Sequence, residues 1–180
     1  SSLGLFGAEQ VLLNLAAVST GVESHVGTIH NLHNPHLEIY EEAKKRGLPV
    51  VCFRCRGKCD VGMIGEITQY IRRERIDVLH THNYKSNFFG LVAARLAGIK
   101  LVATAHGFTD IDHKVSLYEK IDRFVLRFFD KVVVVTDPVL PNFPAGRKVI
   151  IPNGVDILKF QTTNDQRQTT RAKFDIGEHD

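Results

Sequence analysis

Apolar residues along the chain recur every three to four positions in some segments and form short unbroken runs in others, and the two patterns alternate. Residues 9–17 predict a helix with Val11, Leu12, Leu15 and Ala16 on one face. A strand is expected near 25–29. Residues 37–46 predict a helix turning Leu37, Tyr40 and Ala43 inward, with Gly47 as its C-cap. Residues 49–54 read as a strand. Residues 63–74 are amphipathic, with Ile64, Ile67 and Ile71 facing in and Arg72, Arg73 and Arg75 facing water.

The alternation continues to the last third of the chain. Residues 77–82 predict a strand, and 86–96 a helix carrying Phe89, Val92, Ala93 and Leu96 inward, closed by Gly98. A strand at 100–105 precedes a helix at 115–129, with Leu117, Tyr118, Ile121, Val125 and Phe128 expected inward. Strands are expected at 131–135 and 148–151. Pro138, Pro141 and Pro144 forbid a regular helix between them. The last twenty residues are polar, and only Ala172, Phe174 and Ile176 could support a short helix.

Strands that alternate with helices specify stacked βαβ units. The fold class is α/β, a Rossmann-like doubly wound parallel sheet with helices on both faces. The run Val132-Val133-Val134-Val135 suits a central strand buried on both sides. A doubly wound sheet needs a strand before its first helix, and only Ser1-Ser2-Leu3 is available. The chain therefore reads as one domain of a longer protein.

Composition narrows the function classes. Hydrophobic residues make up 43% and charged residues 24%, which excludes a disordered chain, a collagen and a coiled coil. Lys+Arg 23 against Asp+Glu 20 leaves +3, too small an excess to argue for nucleic acid. Weak attraction to an anionic membrane or a phosphorylated ligand is compatible with it. No apolar run approaches the ~18 residues of a membrane span. Neither a basic n-region nor an apolar h-region opens the chain, and the expected compartment is the reducing cytosol.

Ligands of open parallel sheets bind beyond the carboxyl ends of the strands. Gly4 and Gly7 lie before the first helix, whose N-terminus offers free N–H groups to an anion through Ala8 and Glu9. His82, Asn83 and Lys85 follow one strand, His106 and Gly107 the next, then Thr136, and finally Asn153. Such convergence of small, hydrogen-bonding and cationic residues favours a binding cleft. His80 and His82 share a strand face, with His80 packed and His82 at the mouth. His30, His33 and His36 read as a solvated loop broken by Pro35. Cys52, Cys55 and Cys59 lack the fourth ligand of a structural zinc site and read as reduced thiols. No metal site is expected, and no G-x-S-x-G, Walker or kinase motif occurs.

In order, the stretches GLFGAEQVLLNLAA (4–17), IDVLHTHNYKSNFFG (76–90), LVATAHGF (101–108), YEKIDRFVLRFFDKVVVVT (118–136) and IIPNGVD (150–156) resemble the N-terminal domain of family 4 glycosyltransferases of GT-B architecture. The resemblance implies two Rossmann-like domains around a cleft. Residues 1–160 would be the acceptor-binding domain and 161–180 the start of the interdomain linker, with the donor-binding C-terminal domain outside this chain. It implies a retaining, metal-independent transfer of a sugar from a nucleotide-sugar donor, a co-substrate and not a cofactor. The acceptor would be a saccharide, a lipid-linked sugar or a polyol, as in cell-envelope polysaccharide synthesis. Partners would be the protein's own C-terminal domain and, peripherally, the inner membrane face, where Arg72, Arg73 and Arg75 beside Ile71 offer a faint basic patch.

By motif, Gly7, Ala8 and Glu9 would lie near the donor diphosphate and acceptor, and His106 would reach the transferred sugar. His82, Asn83 and Lys85 would line the acceptor side, with Lys85 positioned for a phosphate. The family's E-x7-E carboxylates belong to the C-terminal domain, so residues 1–180 alone are expected to be inactive. Phe6-Gly7 replaces the consecutive glycines of many relatives, the helix after the VVVVT strand is missing, and the first strand is almost absent. A non-catalytic partner module of a split glycosyltransferase, or half of a GT-B sugar epimerase, remain alternatives.

Overall fold

The computed structural model describes residues 7–31, 37–57, 60–106, 113–144, 146–154, 169, 171, 173 and 174; for 113–117 and 138 it describes the backbone alone. The elements follow one another as α1 (Gly7–Val18), β1 (Val26–Asn31), α2 (Glu38–Lys45), β2 (Val50–Cys55), α3 (Val61–Arg73) and β3 (Val78–Thr81). Then come α4 (Tyr84–Ala97), β4 (Lys100–Ala105), α5 (His113–Leu126), β5 (Lys131–Val134) and β6 (Lys148–Ile150). Every strand pairing is parallel, and helices cover both sides. The ladders form a β1–β2 sheet and a β3–β4–β5–β6 sheet. The expected α/β class is thus the observed one.

Local chemistry sets the element ends. Asp60 caps α3 by accepting from Met63 N at 3.0 Å and also accepts from Arg56 N at 2.7 Å. These backbone donors hold its carboxyl below the usual range. Asn83 and Ser86 form a capping box at the start of α4. Gly98 ends that helix at φ 78°, a left-handed conformation suited to glycine. Among the described residues, the proline-rich connection after β5 holds a 3₁₀ turn at Asp137–Val139 and no regular helix.

Three apolar clusters hold the layers together. Leu13, Val26 and Ala43 join α1 and α2 to β1. Phe53, Cys55, Met63, Ile67, Ile71, Phe89 and Ala93 join β2, α3 and α4. The third is built from Ala94, Leu101, Ala103, Val125, Leu126, Phe129, Val132, Val134 and Leu140 around β4 and β5. Val132 and Val134 are fully buried, and β5 lies between β4 and β6, the central place its valines predict.

Several side chains differ from expectation. On α1, Leu13 is the buried residue and Leu15 is exposed, because the helix turns Leu13 toward Val26 and Ala43. Leu37 precedes α2 and is exposed, whereas Ile39 packs inward. Leu96 is exposed near the end of α4, and Ala94 takes the core position. The largest difference is in α5. Its inward face is Asp122, Val125 and Leu126, continued by Phe129, while Tyr118, Ile121 and Phe128 face outward. His30 lies within β1, paired with Arg54, and is not part of a loop; its Nε2 is buried with no hydrogen-bond partner among the described residues. Ile71 is buried and offers no apolar surface beside the exposed Arg72, Arg73 and Arg75; Arg72 donates to Leu96 O, and Arg73 lies over the Tyr70 ring. Phe174, in the polar tail, is exposed, and Ala172 and Ile176 lie outside the described residues.

Candidate functional site

Neighbouring strands β3 and β4 release the chain at the same edge of the sheet. Pairing of Thr81 with Ala103 fixes their register. His82 follows β3 directly, and His106 follows β4. The two rings stack at 5.4 Å between centroids, with His82 Nδ1 3.1 Å from His106 Nε2. One of these nitrogens carries the shared proton and donates it to the other. His80, two residues earlier on the same strand face, lies 4.4 Å from the His82 ring and bonds Thr104 Oγ1 through Nε2 at 2.8 Å.

Burial keeps this column of imidazoles neutral. It pushes His80 down to about 4, with repulsion from His106 adding to it. His82 falls to about 3, first through burial and then through His80 and His106. Burial also lowers His106, while the charge of Glu9 opposes that effect. Glu9 stands in the first turn of α1, near enough for its charge to act on His106. At neutral pH the site offers uncharged imidazole donors and acceptors beside a carboxylate.

Beneath the site runs a buried polar chain. Thr81 Oγ1 donates to Asn87 Oδ1 at 2.5 Å, and Asn87 Nδ2 donates to Asp122 Oδ1 at 2.7 Å. Burial raises the Asp122 pKa, and the Asn87 hydrogen bond partly offsets this. The chain ties β3, α4 and α5 together just below His82. Gly90 permits the close seat of α4 on β3: a Cβ there would lie 2.8 Å from Thr81 Cγ2. Sequence reasoning missed Asn87 and Asp122, since polar residues in amphipathic helices read as surface.

The other expected residues are distributed along the same edge. Asn83 Oδ1 is engaged by the cap of α4, accepting from Ser86 N at 3.0 Å. The Lys85 ammonium donates to Asn31 Oδ1, which ties α4 to the end of β1. Asn31 was also missed, because the pattern ended that strand at Ile29; its place at a strand's carboxyl end was the available signal. Gly7 opens α1 and Ala8 follows it, and a Cβ on Gly7 would meet no atom of the described residues within 4 Å. Thr136 and Asn153 are exposed beyond β5 and β6, outside the histidine contacts. Gly4 and Gly107 lie outside the described residues, as do His33, His36 and Cys59. Cys52 and Cys55 point to opposite faces of β2, and Cys55 Sγ donates to Gly57 O at 3.0 Å. Among the described residues no cluster of three or more His, Cys, Asp or Glu has metal-binding geometry.

The sequence model of Glycosyltransferase Family 4 matches residues 7–158, spanning every one of these elements. The chain belongs to Glycosyltransferase Family 4. This family 4 chain is 27% identical over 124 residues to the Escherichia coli UDP-Gal:alpha-D-GlcNAc-diphosphoundecaprenol alpha-1,3-galactosyltransferase, covering 63% of the chain and 32% of that protein. Anabaena HepE, solved with UDP and glucose, superposes with a TM-score of 0.75 at 18% identity, over 97% of this chain and 48% of that one. A glycosyltransferase from Rickettsia africae superposes with a TM-score of 0.61 at 15% identity, over 87% of this chain and 50% of its own. The family 4 chain therefore spans about a third of that curated relative and about half of these solved ones. Its fold is that of one Rossmann-like half of a GT-B glycosyltransferase.

Proposed function

We propose that this chain is the N-terminal, acceptor-binding domain of a retaining, metal-independent glycosyltransferase that uses a nucleotide-sugar donor and a lipid-linked saccharide acceptor. The domain would comprise residues 1–160, with 161–180 leading toward a donor-binding domain. The observation that carries the reading is the neutral His82–His106 pair at the carboxyl edge of β3 and β4, faced by Glu9 from the start of α1. Imidazole nitrogens suit sugar hydroxyls, being able to donate and to accept. The lipid-linked acceptor is favoured by the E. coli relative, whose name specifies a diphosphoundecaprenol-linked sugar.

In the proposed reaction an acceptor oxygen bonds to the anomeric carbon while the bond to the nucleoside diphosphate breaks. The diphosphate leaves with the electron pair, and the proton of the acceptor hydroxyl passes to the departing diphosphate oxygen. His106 orients a hydroxyl near the reacting carbon and supports the oxocarbenium-like transition state as a hydrogen-bond partner, since burial keeps it uncharged. His82 holds the His106 ring in orientation. Glu9 and the N–H groups around Gly7 and Ala8 border the donor and acceptor. Asn83, Lys85, Thr136 and Asn153 would add substrate contacts along this edge, and Gly4 and Gly107, outside the described residues, are candidates from the sequence alone. The work would take place in the cytoplasm, at the inner membrane face.

The test is transfer by the full-length protein from a panel of nucleotide sugars to a diphosphopolyprenyl-linked acceptor, with EDTA present. Transfer with retention, largely lost in His106→Ala, supports the reading. An absolute need for a divalent metal, or inversion of configuration, refutes those parts of it.

A further inference from the structure

Three successive side chains in the first turn of α4 reach three different elements. Lys85 donates to Asn31 at the end of β1. Ser86 gives its own proton to Asn83 O at 2.9 Å and accepts from Asn83 N at 3.1 Å and His82 N at 3.3 Å, so it holds the backbone that carries His82. Asn87 is buried and lies between Thr81 of β3 and Asp122 of α5. His82 is therefore secured twice: Ser86 takes its N–H, and Asn87 takes the hydroxyl of the residue before it.

The Asn87 contact has a direction, and Asp122 sets it. A carboxylate only accepts, so the amide nitrogen of Asn87 must face it, which leaves Oδ1 for the Thr81 hydroxyl. The Thr81 proton goes mainly to Asn87 at 2.5 Å and only weakly to Val102 O at 3.4 Å. A neutral amide at position 122 would donate as well as accept. Asn87 would then be free to turn over, Thr81 would become the acceptor, and its proton would swing to Val102 O. A carboxylate is a costly group for this place. Asp122 is 8% exposed, on the same face of α5 as Val125 and Leu126 of the β4–β5 cluster, and an apolar side chain would avoid its desolvation. What the carboxylate adds is the fixed direction of the chain.

We infer that Asp122 and Asn87 are positioning residues for the transfer: through Thr81 they fix the end of β3 so that His82 meets His106 and keeps its ring turned to the substrate. The contact leaves little room for drift. His82 Nδ1 and His106 Nε2 are 3.1 Å apart, and a displacement of about 0.5 Å takes such a pair out of hydrogen-bond range. The inference rests on the proposed function for the reaction it serves, and it gives two buried residues beneath the site a part in that reaction. A chain that only held α5 on the sheet would be indifferent to its own direction; one that places His82 is not.

The test is nuclear magnetic resonance of the full-length protein with nitrogen-15 in its histidines, beside transfer assays on the same preparations. Two ring nitrogens joined by an N–H···N hydrogen bond show a scalar coupling across it, and a His82→Gln sample identifies the pair. The wild type should show the coupling. Asp122→Asn, which keeps the shape, should lose it and lower kcat about tenfold, with KM changed less than about twofold. Its melting temperature should equal or exceed that of the wild type, since a buried charge is removed. Thr81→Val should also lose the coupling and about tenfold in kcat, whereas Thr81→Ser, which keeps the hydroxyl, should retain both. Circular dichroism checks folding, and the Thr81 pair decides if Asp122→Asn does not fold. Absence of the coupling in the wild type overturns the inference. In a protein that transfers sugar, so does either change without the other, or equal behaviour of Thr81→Val and Thr81→Ser. A wild type that transfers no sugar, yet whose coupling responds to these variants as expected, refutes the enzymatic reading and leaves the placing of His82 by Asp122 standing.

Discussion

Helix α3 and helix α5 carry similar amphipathic patterns, yet they are packed in opposite senses. Around α3 the ordinary rule holds: Met63, Ile67 and Ile71 are buried, and Arg72 and Arg73 are outside. Around α5 it is partly inverted. Asp122 is inside, reached by Asn87 and Thr81, while Tyr118, Ile121, Phe124 and Phe128 are outside. The inverted region also holds the histidine column. Polar groups placed inside and apolar groups left outside reduce stability, so their concentration in one region marks where the molecule serves something other than its own folding.

The largest effect that would break this comparison is a packing one. Ile71→Ala on α3 should cost about 2–5 kcal/mol in denaturant unfolding, because a buried side chain leaves a cavity. Ile121→Ala on α5, whose side chain is 47% exposed, should stay within about 0.5 kcal/mol. Equal losses at the two positions would remove the contrast.

A pH titration of stability probes the polar interior. His80 and His82 titrate near 4 and 3 when folded, against 6.5 when unfolded. The unfolded chain therefore binds more protons between those limits. Stability should be full above pH 6.5 and fall as pH drops toward 4. One pKa unit is about 1.4 kcal/mol, so His80 alone accounts for a loss on the order of 3 kcal/mol. His80→Gln should flatten the profile, and an unaltered profile would count against a buried neutral column.

At the top of that column, His106→Ala in the full-length enzyme should lower kcat about 10²-fold, or roughly 2.7 kcal/mol in barrier. The melting temperature should barely move. An unfolded variant whose remaining folded fraction turns over normally would make His106 structural. The smallest effect is expected at Gly90. Gly90→Ala forces α4 away from Thr81 and Leu79, at a cost of about 1–3 kcal/mol at most. Because Thr81 precedes His82, KM should rise as well; a stability loss with unchanged KM would separate the packing from the site.

Much of the fold was legible because period and punctuation agreed. The β4 strand was placed at its observed bounds, and Gly98 closed α4 as its φ of 78° requires. The face of α5 was not legible. Residues 118, 121, 125 and 128 make as good a helical stripe as 122, 125, 126 and 129. Tertiary partners decide between them: Asn87 captures Asp122, and the β4–β5 cluster takes Val125, Leu126 and Phe129. Among the site residues, His82 and His106 stood out because both end strands. Their mutual contact depends on the parallel register of β3 and β4, which a linear pattern does not encode. His30 and Asn31 were lost to a strand end placed too early, an error of two residues that moved both into a loop.

The place of β4 in its ladder has a consequence for how the backbone meets solvent isotope. Among the described residues, β4 is paired on both sides, by β3 and β5, and β5 by β4 and β6. Leu101, Ala103, Val132 and Val134 on these strands are fully buried, so their amides should exchange deuterium only when the ladder opens. His106 follows β4 directly, and the histidine contact is thus anchored to slowly exchanging backbone.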